Sequence, residues 1–99
     1  YGFERIFERE LEAISKKDDL VILLTTSGNS KNILNAADFC NKSKLKVFGF
    51  TGSHEGEIVD KVQCIRVPSL STARIQEMHI KIGHIICDCI EQELFNTYK

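Results

Sequence analysis

No stretch of about 18 consecutive apolar residues occurs in the chain, so no segment is long enough to cross a bilayer as a helix. No basic segment followed by a short apolar core and a small-residue cleavage site is present either, so no signal peptide is read. Charge of one sign is not in excess: 13 Lys and Arg stand against 14 Asp and Glu, a formal net charge of −1. The global field that favours non-specific binding to nucleic acid or to an anionic membrane surface is therefore missing. A local basic patch is still allowed. Neither GxxxxGK[ST] nor GxGxxG occurs, which argues against a nucleotide P-loop and a dinucleotide-binding turn. The four cysteines, at 40, 64, 87 and 89, include no CxxC pair and hence no zinc-ribbon pattern. Cys87-Asp88-Cys89 is a C-x-C pair in an apolar helical run, where residues two apart point about 200° from each other. All four are expected to be reduced, mostly buried thiols of a cytoplasmic protein.

What is present is enough for one domain. The chain has 99 residues and a hydrophobic share of 42%, which allows a core and argues against disorder. It does not begin with Met and opens directly on an amphipathic pattern, Tyr1-Gly2-Phe3-Glu4, which reads as a start in the middle of a fold. Phe3, Ile6, Phe7, Leu11 and Ile14 mark one face of a helix over 3–15. Leu20-Val21-Ile22-Leu23-Leu24 is a continuous apolar run, as in a strand buried on both faces of a parallel sheet. A polar loop, Thr25 to Ser30, leads into a helix over 30–42. A second strand, Leu45 to Phe50, ends in a second polar loop, Thr51 to Gly56. A short helix over 57–61 and a third strand over 63–67 come next, the latter stopped by Pro68, the one proline of the chain. The longest helix is expected over about 73–97, capped by Ser71 or Thr72. Its apolar set is Ile75, Met78, Ile82, Ile85, Ile86, Cys89 and Ile90. Strands alternating with helices mean an α/β fold: a three-layer, Rossmann-like parallel sheet with right-handed crossovers.

Open parallel sheets bind ligands at the carboxyl ends of their strands. Thr25-Thr26-Ser27-Gly28-Asn29-Ser30 sits there, just before a helix N-terminus with unpaired N–H donors and partial positive charge. Gly28 lets the backbone turn and come close to a ligand. Thr25, Thr26, Ser27 and Ser30 add four hydroxyls. A cradle of neutral donors without Lys suits a monophosphate, with sugar hydroxyls nearby. The plain alternative is a capped turn, which needs only one hydroxyl.

On the last helix, Gln76 and His84 are eight positions apart, about 80° around the axis and about 12 Å along it. They converge on one ligand only if both side chains lean toward a midpoint. Gly83 removes bulk beside His84. His84 reads either as a histidine in a packing face or as a general acid/base or metal ligand. His79 reads as structural, and His54 is uncommitted. Arg74 stands at the positive end of the helix dipole, which supports a paired or ligand-linked role over simple solvation.

The serine-rich loop, continued by Lys31-Asn32-Ile33-Leu34, resembles the signature of the sugar-isomerase (SIS) domain. Arg66-Val67-Pro68, the run Ala73-Arg74-Ile75-Gln76-Glu77-Met78-His79, and Gly83-His84 narrow the resemblance to the phosphoheptose isomerase family. It spans essentially the whole chain, and the last helix is its most specific part. The resemblance implies the C-terminal portion of a single SIS domain over 1–99, with the N-terminal part of the fold missing. It implies conversion of sedoheptulose 7-phosphate to D-glycero-D-manno-heptose 7-phosphate for bacterial lipopolysaccharide or capsule. Thr25, Thr26, Ser27 and Ser30 would hold the phosphate and nearby hydroxyls. Gln76 would bind substrate and, with His84, a zinc ion, and His84 would also be the catalytic acid/base. A cytoplasmic homo-oligomer, a tetramer, is implied, with a sugar phosphate as partner and neither nucleic acid nor membrane. The family's Gly-rich loop, its His and its catalytic Glu have no counterpart here, and Ala73 stands where some members have Asp. A non-catalytic relative, the DnaA-associating SIS protein, shares parts of the last helix. It is the alternative: a module that binds a replication-initiation partner or senses a phosphosugar. His84 and Ser27 favour the enzyme.

Overall fold

A computed structural model describes residues 2–95. A single turn of 3-10 helix, Phe3–Arg5, runs into α1, Ile6–Ile14. Then come β1, Leu20–Leu24, and α2, Lys31–Lys42. β2, Lys46–Thr51, is followed by the one-turn α3, Ile58–Lys61, and β3, Gln63–Arg66. α4, Thr72–Phe95, closes the described chain. The two further residues expected in this helix, 96 and 97, lie outside the described residues, as does Tyr1. The three strands are parallel in the order β1-β2-β3, as the alternation of strands and helices requires.

The core lies on the α2–α3 face of the sheet. Leu34, Ala36, Ala37, Ile58 and Val62 pack there with Leu23, and Val21 and Leu11 close the side. Small residues at 36 and 37 let α2 lie close to the strands. Asn35 Nδ2 donates to Glu4 O at 2.9 Å and ties the N-terminal turn to α2.

The opposite face departs from the sequence reading. Ile22 pairs with Phe48 and Leu24 with Phe50, so these residues share a face. α4 covers that face only over its first two turns: Ile75 and His79 are its buried residues. Ile75 packs on Gly52, where a Cβ would collide with it, and the His79 ring lies 5.6 Å from that of Phe50. β1 is therefore not buried on both faces. It is an edge strand, and Leu20, Ile22 and Leu24 are 50%, 37% and 55% exposed. The rest of α4 leaves the sheet behind. Ile82 and Ile86 are half-buried, whereas Met78, Ile85, Cys89 and Ile90 are exposed.

The cysteines divide the same way. Cys40 is buried and Cys64 half-buried, but Cys87 and Cys89 are exposed, because nothing described covers that part of α4. All four are free thiols. Burial raises the Cys40 thiol above its usual value. Burial raises Cys64 as well, partly offset by the Gly49 backbone hydrogen bond and the Arg66 charge.

Candidate functional site

The Thr25–Ser30 loop leaves the carboxyl end of β1 and enters α2. Thr25 N donates to Phe50 O at 3.0 Å, extending the β1–β2 ladder by one bond into the loop. Its hydroxyl then accepts from Gly28 N at 3.1 Å, and Ser27 Oγ accepts from Asn29 N at 3.1 Å. These two hydroxyls shape the turn. Gly28 adopts φ +74°, which only glycine takes without strain. It permits the close approach of another glycine: a Cβ on Gly56 would stand 2.6 Å from Gly28 Cα. Gly28 O accepts from Ile58 N at 3.0 Å, and Asn29 Oδ1 from Glu57 N at 2.9 Å. The second loop thus buttresses the first. It is itself gathered by Arg66, which donates to Gly52 O at 3.1 Å and His54 O at 3.0 Å.

The donors left over define the site. Ser30 is the N-cap residue of α2, yet its side chain makes no capping hydrogen bond. The Thr26 hydroxyl has no protein partner among the described residues. Leu34 N bonds Ser30 O at 2.9 Å, and Ile33 N is taken by Asn32 Oδ1 at 2.9 Å. The N–H groups of Lys31 and Asn32 remain among the open donors of a helix N-terminus. Thr25, Thr26 and Ser30 line a cleft of about 240 Å³ together with Leu24 of β1 and Gln76 and His79 of α4. No Lys or Arg is among these residues. The cleft offers hydroxyls, backbone N–H groups and the positive end of a helix, a set suited to an anion.

The candidates read from sequence fall into three groups. Thr25, Thr26, Ser30 and Gln76 meet at the cleft. Ser27 is in the loop but its hydroxyl serves the turn. His84 is exposed, two helical turns beyond Gln76, and does not line the cleft. Gly83 meets no neighbour: a Cβ there would find nothing within 4 Å among the described residues. Arg74 is paired, donating to Glu77 at 2.7 Å and 2.8 Å, and Ser71 caps the first turn by accepting from Arg74 N at 3.4 Å. His79, read from the sequence as structural, is buried with Nε2 3.0 Å from Thr51 O, and it also lines the cleft. Its spacing of three from Gln76 puts both on one side of a helix, which was the available signal.

Among the described residues, no group of three or more His, Cys, Asp or Glu could hold a metal ion. Gln76 and His84 alone do not make a zinc site, which takes four ligands or three with an open position. No helix among the described residues is long and apolar enough to cross a membrane.

No protein-family model matches the chain. Curated relatives do. The chain is 48% identical to phosphoheptose isomerase 2 of Campylobacter jejuni, over 96% of its own length and 48% of the relative's. It is 50% identical to the phosphoheptose isomerase of Leptospira biflexa, again over 96% of this chain and 49% of that one. The solved phosphoheptose isomerase of Francisella tularensis superimposes with a TM-score of 0.87 at 38% identity, over 93% of this chain and 50% of that one. That of Neisseria gonorrhoeae gives 0.87 at 34% identity, over 93% and 52%. The chain spans about half the length of the curated relatives it matches. It is a homologue of the phosphoheptose isomerases that corresponds to about half of one.

Proposed function

We propose that this chain is the phosphate-holding, C-terminal portion of an SIS-domain isomerase. The substrate is sedoheptulose 7-phosphate and the product D-glycero-D-manno-heptose 7-phosphate, feeding heptose for bacterial lipopolysaccharide or capsule in the cytoplasm. The observation that carries the reading is Ser30. A serine at an N-cap whose hydroxyl caps nothing, beside the uncommitted Thr26 hydroxyl, is a donor kept for a ligand. The named relatives give that ligand its class. The phosphate would sit against Thr26, Ser30 and the first N–H groups of α2, and the sugar would extend past Gln76. Isomerisation moves a proton between C1 and C2 through an enediol, so a group must take it and return it. In this chain that role falls to His84, which is exposed and reaches only a substrate lying along α4. Zinc, where the protein uses it, would draw Gln76 and His84 from this chain and its other ligands from elsewhere. The assembly would be a tetramer.

Ser30→Ala separates this reading from a plain capped turn. Loss of an ordinary N-cap hydroxyl destabilises by about 0.5–2 kcal/mol. Here stability should stay within about 0.5 kcal/mol in urea unfolding, since no capping bond is lost. Affinity for sedoheptulose 7-phosphate should fall about tenfold or more, as for a hydrogen bond to a charged group. Unchanged affinity would remove the loop from the site. Turnover is tested on the full-length protein by following aldose formation with zinc present; bound substrate without turnover would sink the enzyme reading. His84→Ala should abolish turnover and leave phosphate affinity nearly intact, and equal activity would remove His84 from the mechanism.

A further inference from the structure

The cleft contains one group that the phosphate reading leaves unused. His79 is 6% exposed and lies on α4 between the sheet and the loop. Its Nε2 is 3.0 Å from Thr51 O. A carbonyl oxygen can only accept, so Nε2 carries the hydrogen and Nδ1 presents a lone pair in the neutral ring. Thr51 O also accepts from Val67 N at 2.9 Å, so the acceptor that orients the ring is fixed by the sheet. The ring also packs against Phe50, with centroids 5.6 Å apart and planes at 57°. Nδ1 has no hydrogen-bond partner among the described residues. It is not sealed off either: among the described residues, the buried side-chain polar atom left without a partner is Thr51 Oγ1. His79 lines the cleft with Thr25, Thr26, Ser30 and Gln76.

The chemistry of that atom differs from the rest of the wall. The loop offers donors, which a phosphate with its acceptor oxygens can use. An imidazole lone pair is repelled by those oxygens and needs a hydrogen to accept. A sugar hydroxyl supplies one. We infer that His79 binds the sugar part of the ligand, its Nδ1 accepting from a hydroxyl, while Thr51 O holds the ring in the required tautomer. The cleft then tells a polyol phosphate from a bare phosphate. This rests on the phosphate-loop reading above, and makes His79 a specificity-determining residue within it.

The test uses two probes, sedoheptulose 7-phosphate and inorganic phosphate, with wild type and His79→Gln. A glutamine amide can place its nitrogen where Nε2 stood and keep the bond to Thr51 O, but it has nothing at the position of Nδ1. Expected is a loss of about tenfold in affinity for the sugar phosphate, with affinity for inorganic phosphate unchanged. A variant that binds both probes as wild type does would reduce His79 to a structural tie and overturn the inference. Should the variant not fold, ring ¹⁵N spectra of the wild-type protein decide. They should show the Nε2–H tautomer and an Nδ1 resonance that moves with the sugar phosphate but not with phosphate. The Nδ1–H tautomer, or an Nδ1 indifferent to the sugar phosphate, would overturn it. Wild type that binds neither probe would instead overturn the phosphate loop itself.

Discussion

Gly28 and Gly56 press against each other where the loops following β1 and β2 meet. A Cβ on Gly56 would lie 2.5 Å from Ser27 O and 2.6 Å from Gly28 Cα and C. These are backbone atoms and cannot step aside as the end of a flexible side chain can. Gly56→Ala is therefore expected to destabilise by about 1–3 kcal/mol in urea unfolding, as overpacking does, and to weaken phosphate binding by shifting the loop. Wild-type stability and affinity would show that the loops do not meet this way. The turn at Gly28 was legible in the sequence, because a glycine among Ser, Thr and Asn signals a positive φ. Its contact was not, because the partner is 28 positions away and equally featureless. The thiols give a second prediction at this scale. Cys87 and Cys89 are exposed, so both should react readily with a maleimide in the native protein. Burial raises the Cys40 thiol, which keeps it protonated to higher pH than an exposed one, so it should react last and only toward alkaline pH or on unfolding. Alkylation of Cys40 as fast as Cys87, followed by mass spectrometry across pH, would contradict the packing of α2.

α4 shows how an element can be read correctly in type and wrongly in environment. Its existence, its start near Thr72 and its cap at Ser71 are legible in the sequence, since Pro68 ends the strand before it and no proline lies beyond Thr72. Its repeated isoleucines suggested a continuous packing face. Periodicity reports which residues share a side, but not whether anything lies against that side. At 24 residues the helix is about 36 Å long, and the sheet beneath it ends after two turns. The consequence is an uneven response to truncation. Ile75 is fully buried against Gly52, so Ile75→Ala should cost about 2–5 kcal/mol and loosen the end of α4 that carries Gln76 and His79. Ile85→Ala, at a side chain 55% exposed, should change stability of this chain by less than about 0.5 kcal/mol. Equal losses at the two positions would mean that the far half of α4 is covered in solution. β1 carries the same lesson. Its five apolar residues identify a strand, but the burial of both faces depended on neighbours that no local pattern specifies.

At the scale of the molecule, the polar cleft and the uncovered apolar surface adjoin each other at Leu24, which lines both the cleft and a larger groove of about 350 Å³. That groove runs along the unpaired edge of β1, between Phe7, Leu11 and Ile14 on α1 and Val21, Leu23 and Ile33 behind the strand. An open strand edge next to apolar side chains is a template for another chain. Leu20, Ile22 and Leu24 extend the exposed apolar surface around the strand, and Ile80, Ile85 and Ile90 continue it on α4. Surfaces of that kind are rare on monomers and mark association. The solved relatives are about twice as long as this chain yet superimpose on it closely, so about half of their fold has no counterpart in it. The 99 residues expressed alone should therefore self-associate, sedimenting above monomer mass and binding a hydrophobic dye in the native state. Ile22→Lys introduces a charge on the open face without entering the cleft. It should lower both the sedimenting mass and the dye signal while leaving phosphate affinity unchanged. A soluble monomer that binds no dye would mean that this face is covered from within the chain. An Ile22→Lys variant that associates as before would place the contact elsewhere, on the far half of α4.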